Sequence, residues 1–277
     1  MIRRLAVFVL LATPLFAEDK PPVVSMETNF GTLKIELYLT DAPNTVANFL
    51  SLCDKKFYDG IKFHRIIKKF MAQGGDPQQT GGEELGYKIP AEFNARKHVK
   101  GTLSMARTFE PNSAGSQFFL CFADVPMLDN AYTVFGQVTE GLEVLTKIEA
   151  EAATARDGVP PLKEVKILTA KVLSKPEKLP ELVTIKPEDI PFIGVIPGPK
   201  PATDGVFIAQ LRPDGGGQAS GLQTGDLIKK VGDVDVKSLT DYAKALLPVR
   251  PGKAVTFTVL RKGTETKIEV TPGSMGK

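Results

Sequence analysis

The chain of 277 residues has no tryptophan and few of the side chains that carry most metal and nucleophilic chemistry. Its two histidines are His64 and His98, and its two cysteines are Cys53 and Cys121, with no short paired spacing among them. A structural zinc site needs four such ligands, usually in closely spaced pairs. No serine stands in a Gly-x-Ser-x-Gly setting, the nucleophile turn of many hydrolases. These absences argue against a metal centre and a serine hydrolase.

A strong excess of one charge is also absent. The chain has 35 Lys and Arg residues against 32 Asp and Glu residues, which gives a formal net charge of +3. Proteins that bind nucleic acid through its phosphates usually carry a clustered basic excess, so we expect no nucleic-acid partner. With 42% apolar and 24% charged residues, the composition is that of a globular protein with room for two domains.

Long apolar runs are missing after residue 17. Arg3 and Arg4 precede an apolar stretch from Leu5 to Phe16, and Ala17 follows it directly before charged residues. A basic start, a short apolar run and a small residue are typical of a secretory signal peptide, and the run is too short for a permanent membrane span. We predict a signal peptide over residues 1–17, an exported protein that is periplasmic or secreted, and a mature form without a membrane anchor.

Export to an oxidising compartment raises the question of whether the two cysteines form a disulfide. Cys53 continues the helical stripe of Val46, Phe49 and Leu50, as a small core residue does. Cys121 lies in a predicted strand. The sequence does not give the distance between the two residues, so a disulfide and two free thiols both stay open.

The first half of the chain is predicted to consist mainly of strands. The run from Val23 to Thr28 and the alternating residues from Leu33 to Leu37 predict a hairpin. Asp41-Ala42-Pro43 predicts the start of a helix, because proline is tolerated in the first turn, and a second helix is predicted over Gly141 to Glu149. Many short strands with two helices suggest a barrel, although this pattern alone does not exclude a sandwich.

Residues 63–76 combine a single arginine, two large apolar side chains and a glutamine before a Gly-Gly turn. A guanidinium is costly to bury without a partner, so Arg65 is expected to line a cleft. Further blocks follow as Leu103-Ser104-Met105-Ala106, Pro111 to Cys121, Met127-Leu128-Asp129 and Val134 to Val138. Together these blocks resemble the cyclophilins, which are peptidyl-prolyl cis/trans isomerases, over about residues 24–172. The resemblance implies a mainly β fold over residues 22–174, with a closed eight-stranded antiparallel barrel capped by two helices.

The cyclophilin resemblance implies a site that accelerates rotation about X-Pro bonds in proline-containing polypeptides, without a metal or cofactor. The barrier to this rotation is roughly 18–20 kcal/mol, because amide resonance must be broken. Arg65 is the implied donor to the amide nitrogen, whose lone pair localises as the bond twists, and Gln73 and Phe70 complete the catalytic set. Met127 stands where many cyclophilins carry tryptophan, and Tyr132 where eukaryotic members carry histidine. The implied substrate-binding residues are Met71, Ala106, Phe119, Met127, Leu128 and Tyr132.

The composition changes after residue 174, where prolines become frequent. Proline at this density favours an extended connector, and we place a linker at residues 175–189. Residues 190–273 resemble a PDZ domain, and the run from Gly221 to Ile228 is the strongest mark. A helix start is predicted at Ser238 to Asp241, and a final hairpin is predicted to turn at Lys262-Gly263.

The PDZ resemblance implies capture of a C-terminal peptide or another protein partner. In that mode the ligand is added as a strand, and backbone N–H groups of a short loop hold its carboxylate. The implied loop is formed by Phe192, Ile193, Gly194 and Val195. Pro197 lies in the strand that would pair with the ligand, and proline cannot donate to a strand ladder. Carboxylate binding and a packing role for this domain both stay open.

Two functional hypotheses follow. The first is an exported isomerase that acts on X-Pro bonds, and the alternative is a non-catalytic, chaperone-like scaffold that binds peptides with the barrel groove and the PDZ-like domain. PDZ domains also accompany secreted proteases, but the histidine and serine content disfavours proteolysis. We interpret His98, between Lys97 and Val99, as a solvated loop residue.

Overall fold

The computed structural model describes residues 20–78, 85–198 and 205–275. The signal peptide predicted over residues 1–17 lies outside these ranges. An N-terminal and a C-terminal domain, both rich in strands, are joined by a proline-rich connector. Within the described ranges, no helix is both long and apolar enough to cross a membrane.

The N-terminal domain is built on one antiparallel sheet. Its elements are β1 (Val23–Thr28), β2 (Gly31–Leu37), α1 (Pro43–Asp54), β3 (Arg65–Ile67), β4 (Met71–Gly74), β5 (Thr102–Met105), β6 (Phe118–Cys121), β7 (Val134–Glu140), α2 (Leu142–Ala152) and β8 (Ile167–Ser174). The strand order is β3-β4-β6-β5-β7-β2-β1-β8. The two ends of this curled sheet meet, because the Phe63 N–H, just before β3, donates to the Val165 carbonyl, just before β8, at 2.9 Å. The mainly β, eight-stranded antiparallel fold with two helices is confirmed.

Local sequence signals explain the first elements of this domain. Leu33, Ile35 and Leu37 of β2 are fully buried, as the period of two in a half-buried strand requires. The helix α1 begins at Pro43, where the missing N–H of proline leaves no helical hydrogen bond unmade. The predicted hairpin and both predicted helices are therefore present.

Apolar side chains pack on both faces of the sheet. The main core contains Phe118, whose ring makes edge contacts with Phe49, Tyr58 and Phe63 at centroid distances of 5.6, 5.4 and 6.0 Å. A second, smaller cluster contains Phe119, the next residue along β6. Successive side chains of a strand point to opposite faces, so Phe118 packs in the main core and Phe119 packs in the smaller cluster.

The two cysteines are buried free thiols, Cys53 in the main core and Cys121 in the smaller cluster. Burial in apolar surroundings raises the pKa of each thiol to about 12. A thiol with such a pKa carries almost no thiolate near neutral pH, so neither cysteine is a candidate nucleophile. Of the two alternatives that the sequence left open, the structure has free thiols.

The C-terminal domain is a small, mainly β unit. Its elements are β9 (Pro191–Phe192), β10 (Val195–Pro197), β11 (Val206–Leu211), α3 (Gly216–Ala219), β12 (Leu227–Val231), β13 (Val234–Asp235), α4 (Leu239–Leu246), β14 (Val255–Arg261), β15 (Thr264–Val270) and β16 (Gly273–Ser274). The sheet order is β10-β11-β12-β14-β15, β13 pairs with β12, and β9 pairs with β16. Strand β10 is thus an edge strand of the larger sheet.

A predicted helix start and a predicted hairpin turn of this domain are present. The Ser238 hydroxyl accepts a hydrogen bond from the Asp241 backbone N–H at 3.1 Å and caps α4. Lys262 and Gly263 have φ angles of 50° and 85° between β14 and β15. Positive φ at both central residues matches the twist of a tight hairpin, which explains why Lys-Gly is a turn signal.

The proline-rich connector lies along the N-terminal domain. The Asn44 side chain donates to the Val183 carbonyl at 3.0 Å and accepts from its N–H at 2.7 Å. Lys88 and Ile185 exchange two backbone hydrogen bonds, and Leu179 and Leu182 pack against the main core. The connector is therefore held in place by hydrogen bonds and apolar contacts.

Candidate active site

Strand register brings the main predicted site residues together. Arg65 of β3 lies opposite Gln73 of β4, and Gln73 lies opposite Phe119 of β6. On the next strand, β5, Ser104 lies opposite Phe119. Directly opposite residues of an antiparallel sheet share a face, so these side chains form one row across four strands.

Arg65 stands at one end of this row with its guanidinium held on two sides. Its Nε and Nη2 donate to the two carboxylate oxygens of Asp157 at 2.7 and 2.5 Å. Its Nη1 donates to the Gln73 side-chain oxygen at 3.1 Å and lies 4.0 Å from the Met71 sulfur. The guanidinium carbon is 5.8 Å from the centre of the Phe70 ring. Arg65 thus lines a cleft beside apolar side chains, as predicted.

Gln73 links Arg65 to the next strand. Its oxygen accepts from Arg65, and its Nε2 donates to the Gln117 side-chain oxygen at 2.9 Å. A glutamine amide offers two donor hydrogens and two acceptor lone pairs, so one of each remains after these bonds. Gln73 therefore orients Arg65 within the protein and keeps hydrogen-bonding capacity for a bound peptide.

An apolar pocket opens beside the Arg65 guanidinium. It is a small cavity of about 90 Å³, and eight of the predicted site residues line it together with Arg107. The lining residues are Arg65, Phe70, Met71, Gln73, Ala106, Arg107, Phe119, Leu128 and Tyr132. Two guanidinium groups and the Gln73 amide lie beside apolar side chains in this lining, which suits a ligand with a small ring next to a polar backbone.

Met127 does not line this pocket. It belongs to a short 3-10 helix, Pro126–Leu128, and its side chain is 76% exposed while the adjacent Leu128 lines the cavity. A contact between Met127 and a longer bound peptide stays a prediction.

His98 is buried behind the pocket wall, which makes its interpretation as a solvated loop residue wrong. Its ring is 1% exposed and stacks on Phe119 at 6.0 Å between centroids. Its Nδ1 lies 3.1 Å from an Asp129 carboxylate oxygen, and its Nε2 lies 3.0 Å from the Ser104 hydroxyl. Its sequence neighbours suggested exposure. Asp129, 31 positions away, and Ser104, 6 positions away, nevertheless lie within hydrogen-bond distance of the two ring nitrogens.

Asp129, His98 and Ser104 have the connectivity of a hydrolase triad but cannot act as one. Ser104 is 0% exposed, so no substrate carbonyl reaches its hydroxyl. Burial lowers the pKa of His98 despite the opposing effect of Asp129, and the neutral ring is assigned an Nδ1–H that donates to Asp129. The three residues form a satisfied polar network that supports Phe119 from behind.

Arg107 is a pocket residue that the sequence did not single out. Its guanidinium lies 4.4 Å from the Tyr132 ring centre and donates to the Ala131 carbonyl at 2.7 and 3.0 Å. Tyr132 in turn makes an edge contact with Phe119 at 5.9 Å. Arg107 therefore fixes the Tyr132 side of the pocket, and its place directly after Ala106 was the available signal.

Asp157 was also missed, and no local signal could have revealed it. It lies 92 positions from Arg65 in the loop after α2. The hydrogen bonds from Arg65 hold the pKa of this carboxyl below its usual range. A second cleft of about 710 Å³ lies on this side, lined in part by Arg65, Asp157 and Pro160, so the ion pair stands between two cavities.

If the site rotates X-Pro bonds as the cyclophilin resemblance implies, replacing Asp157 with asparagine is expected to lower kcat/KM for such a peptide by roughly twofold to tenfold. The pair is bidentate, but its side chains are 33% and 61% exposed, and exposed pairs contribute modestly. The measurement is peptide isomerisation near neutral pH, where a carboxyl of lowered pKa stays ionised. Asp214→Asn is the matched control, because Asp214 forms the same bidentate contact with Arg212 in the other domain. Equal rates for wild type and Asp157→Asn would contradict a positioning role.

No metal centre is evident in the part of the chain that the structure describes. There, no group of three or more His, Cys, Asp or Glu side chains is arranged to hold an ion. The described pocket itself offers hydrogen-bonding groups and apolar side chains.

Two family models match this chain. Residues 23–172 match the model for cyclophilin type peptidyl-prolyl cis-trans isomerase/CLD, which is more than half of the chain. Residues 191–271 match the model for the PDZ domain. The first match contains the whole row of site residues from Arg65 to Phe119.

Curated relatives and solved structures resemble the N-terminal half. A peptidyl-prolyl cis-trans isomerase of Synechococcus elongatus is 49% identical over 125 residues, or 44% of this chain and 86% of that protein. Peptidyl-prolyl cis-trans isomerase CYP18-2 of Arabidopsis thaliana is 44% identical over 161 residues, or 56% and 96%. A Cryptosporidium parvum cyclophilin type peptidyl-prolyl cis-trans isomerase, solved in the presence of the dipeptide Ala-Pro, has 35% identity and a TM-score of 0.51 over 55% of this chain and 99% of its own.

Proposed function

This chain belongs to the cyclophilin-type peptidyl-prolyl cis-trans isomerases and carries a PDZ domain after its isomerase domain, and from this we propose that it accelerates X-Pro rotation in exported polypeptides. The isomerase domain has peptidyl-prolyl cis-trans isomerase activity and binds proline-containing peptides. We further propose which polypeptides it acts on, what single residues contribute and what the PDZ domain binds.

Arg65 is the proposed source of transition-state stabilisation. As the X-Pro bond twists, amide resonance is lost and the nitrogen lone pair becomes a hydrogen-bond acceptor. A donor aimed at that lone pair, or at a neighbouring carbonyl, stabilises the twisted form more than the planar form. No bond is made or broken, so no nucleophile or general base is needed.

The single observation that supports this role is the unspent hydrogen-bonding capacity of Arg65 at the pocket mouth. A guanidinium has five N–H hydrogens. Asp157 takes one from Nε and one from Nη2, and Gln73 takes one from Nη1. Among the described residues, the second Nη2 hydrogen has no partner, and the second Nη1 hydrogen has only the Met71 sulfur. These two hydrogens are available to a substrate while the rest hold the group still.

The apolar pocket is proposed to bind the proline ring. Met71 and Phe119 are 1% and 4% exposed, and Phe70 and Leu128 complete the apolar part of the lining. Water solvates the more dipolar planar amide well, so transfer to an apolar site favours the twisted amide. Each tenfold acceleration corresponds to about 1.4 kcal/mol. A charged hydrogen bond together with desolvation is sufficient for several successive tenfold accelerations.

A protease-coupled assay on a peptide of the Ala-Pro-Phe type tests the isomerase proposal for this chain. The protein that begins at Glu18 is expected to accelerate relaxation of the cis isomer in proportion to its concentration. Well-folded protein that binds proline peptides without accelerating the relaxation would instead support the scaffold alternative.

Export is proposed from the N-terminal residues alone. Arg3, Arg4 and the apolar run to Phe16 support a cleaved signal, and cleavage after Ala17 leaves a net charge of +1. Fractionation of cells that make the full chain, with mass analysis of the product, is the test. The expected product is exported and begins at Glu18, and a cytosolic chain that keeps residues 1–17 contradicts the proposal.

The PDZ domain is proposed to bind the free C-terminus of a protein partner. Support comes from β10, an edge strand whose pairing with β11 leaves its other side open within the sheet. The preceding loop, Phe192 to Val195, is placed to receive the carboxylate when a peptide is added along that strand. Pro197 ends β10 and has no N–H, and successive N–H groups of a strand point to opposite sides, so only one of Val195 and Ile196 can donate at the open edge.

A further inference from the structure

A glutamate of the isomerase domain contacts the loop proposed to bind a partner's carboxylate. Glu110 lies in the segment between β5 and β6 and is 3% exposed. Its Oε1 accepts a hydrogen bond from the Ile193 backbone N–H at 3.1 Å, across 83 positions of sequence. A side-chain carboxylate thus stands at a backbone N–H of the loop, the kind of group that holds a peptide's terminal carboxylate.

The loop is built to present its N–H groups to an anion. The Ile193 and Gly194 carbonyls accept from Gly217 and Arg212 N–H groups of the same domain at 2.9 Å each, so the loop is anchored from its other side. Gly194 has a φ of 79°, and a Cβ there would lie 2.9 Å from the Gly215 backbone. Such a left-handed residue lets successive N–H groups converge on one anion. The Ile193 and Gly194 amides both favour the ionised form of Glu110.

Glu110 is poorly compensated at this position. Its Oε2 is buried and has no hydrogen-bond partner within the described residues. Burial raises the pKa of Glu110 to about 7, although the two amides and Arg107 act in the opposite direction. A buried carboxylate with an unsatisfied oxygen is costly, so a better-placed carboxylate can replace it.

The other groups around Glu110 do not supply the hydrogen-bond partner that its Oε2 lacks. Arg107 is on the same segment, and its guanidinium already donates to the Ala131, Thr108 and Phe109 carbonyls. Tyr242, on α4 of the PDZ domain, is buried, and its pKa is raised well above the usual range. Beside the loop, the Arg212 side chain is paired with Asp214. Arg107 and Arg212 are therefore already engaged by other partners.

We propose that Glu110 is an internal ligand of the PDZ carboxylate site, so that a partner ending in a free carboxylate must displace Glu110 in order to bind. This inference rests on the proposed carboxylate-binding role of the loop. The hydrogen bond from the Ile193 N–H to the Glu110 side chain is the Glu110 clasp. A second contact, from the Thr240 hydroxyl of α4 to the Asp129 carbonyl at 3.3 Å, helps to hold the two domains while the clasp is closed.

The partner is identified by the chemistry of the site. It is a polypeptide with a free C-terminus, because the loop offers backbone N–H groups and no cation. The probe peptides end in an apolar residue, because the loop residues Ile193 and Val195 themselves pack into the apolar cluster of this domain. The terminal carboxyl of the partner has an ordinary pKa of about 3.3–3.7 and stays charged where Glu110 becomes neutral.

The site binds peptide only while the clasp is open. The apparent affinity is therefore the intrinsic affinity multiplied by the fraction of molecules in which the site is open. In Glu110→Gln the charge is lost, and the neutral hydrogen bond that the amide oxygen can keep to the Ile193 N–H is weaker than a charge-assisted one, so the site opens more often. We expect the variant to bind peptide about tenfold or more tightly than wild type at pH 8. As pH falls through about 7, Glu110 is protonated. Wild type should therefore bind more tightly at pH 6 than at pH 8, and Glu110→Gln should show no such change.

The experiment uses full-length mature protein and five labelled hexapeptides that differ only in an apolar last residue, read by fluorescence polarisation. Amidated copies of the same peptides test the need for a free carboxylate. Glu143→Gln, on the exposed face of α2, is the matched control. Glu110→Asp, which keeps the charge on a shorter side chain, is the second variant should Glu110→Gln fail to fold, and it should also bind more tightly.

The outcomes separate the two proposals. Tighter binding by the Glu110 variants, with free-acid peptides only and with loss of the pH dependence, supports the clasp. Equal binding by wild type and both variants overturns the clasp and leaves C-terminal peptide binding intact. If no protein binds any free-acid peptide at either pH, or amidated copies bind equally, the carboxylate-binding role fails and the clasp fails with it.

Discussion

Replacing Arg65 with alanine is expected to lower kcat/KM for an X-Pro peptide by about a hundredfold or more, because loss of one preorganised transition-state donor typically costs a factor of 10²–10³. The variant also leaves Gln73 and Asp157 without their shared partner. The pocket proposed for the proline ring is retained, so the loss should fall mainly on kcat and less on KM. The protease-coupled assay and a separate peptide-binding titration give the two values.

Two further variants make the Arg65 result specific. Arg65→Lys keeps the positive charge but loses the planar fork that reaches Asp157 and Gln73 together, so it should recover only a small part of the activity. Arg96→Ala is the control, since Arg96 is a half-exposed arginine that stacks on Tyr38 at 3.5 Å and bonds to Asp41. Near-normal turnover by a folded Arg65→Ala protein would show that desolvation alone carries catalysis.

Replacing Phe118 with alanine is expected to destabilise the isomerase domain by about 3–5 kcal/mol, the usual cost of removing a buried phenylalanine. Phe118 is 0% exposed and contacts the rings of Phe49, Tyr58 and Phe63. The remaining rings cannot fill the cavity without leaving their own contacts. Urea unfolding followed by near-ultraviolet circular dichroism is the measurement, and the transition of the PDZ domain is fitted separately.

The adjacent residue should behave differently. Phe119 points to the other face of the sheet, where it forms the pocket wall and stacks on His98. Phe119→Ala is therefore expected to cost less stability than Phe118→Ala and to impair turnover more strongly per molecule folded. Phe109→Ala, at a side chain that is 44% exposed, is the neutral control for both measurements. An equal stability loss for Phe118→Ala and Phe109→Ala would refute the assigned core.

Together, the site and the clasp suggest how the two domains share one segment. The stretch from Ala106 to Glu110 lines the pocket beside Arg65 at its start and contacts the PDZ loop at its end. Arg107 lies between the two and carries part of the pocket wall. A partner that displaces Glu110 acts on a segment that is directly continuous with the isomerase site.

The sequence by itself determined the features that depend on local backbone geometry. The alternation along β6 separates Phe118 from Phe119, and the short connection between β3 and β4 brings Arg65 opposite Gln73. Pro43 and Ser238 mark helix starts because their chemistry suits a first turn or a cap. Together with the cyclophilin and PDZ motifs, these signals predicted the fold and most of the pocket lining.

The tertiary structure decided the contacts between residues that are far apart in sequence. Asp157 reaches Arg65 across 92 positions, and Glu110 reaches Ile193 across 83. His98 is buried because Asp129 and Ser104 satisfy its ring, although its sequence neighbours suggest a surface loop. The thiols of Cys53 and Cys121 stay free because they lie in two separate apolar clusters. Local periodicity determines which way a side chain points. The path of the loops and the packing of the two domains determine which residues it contacts.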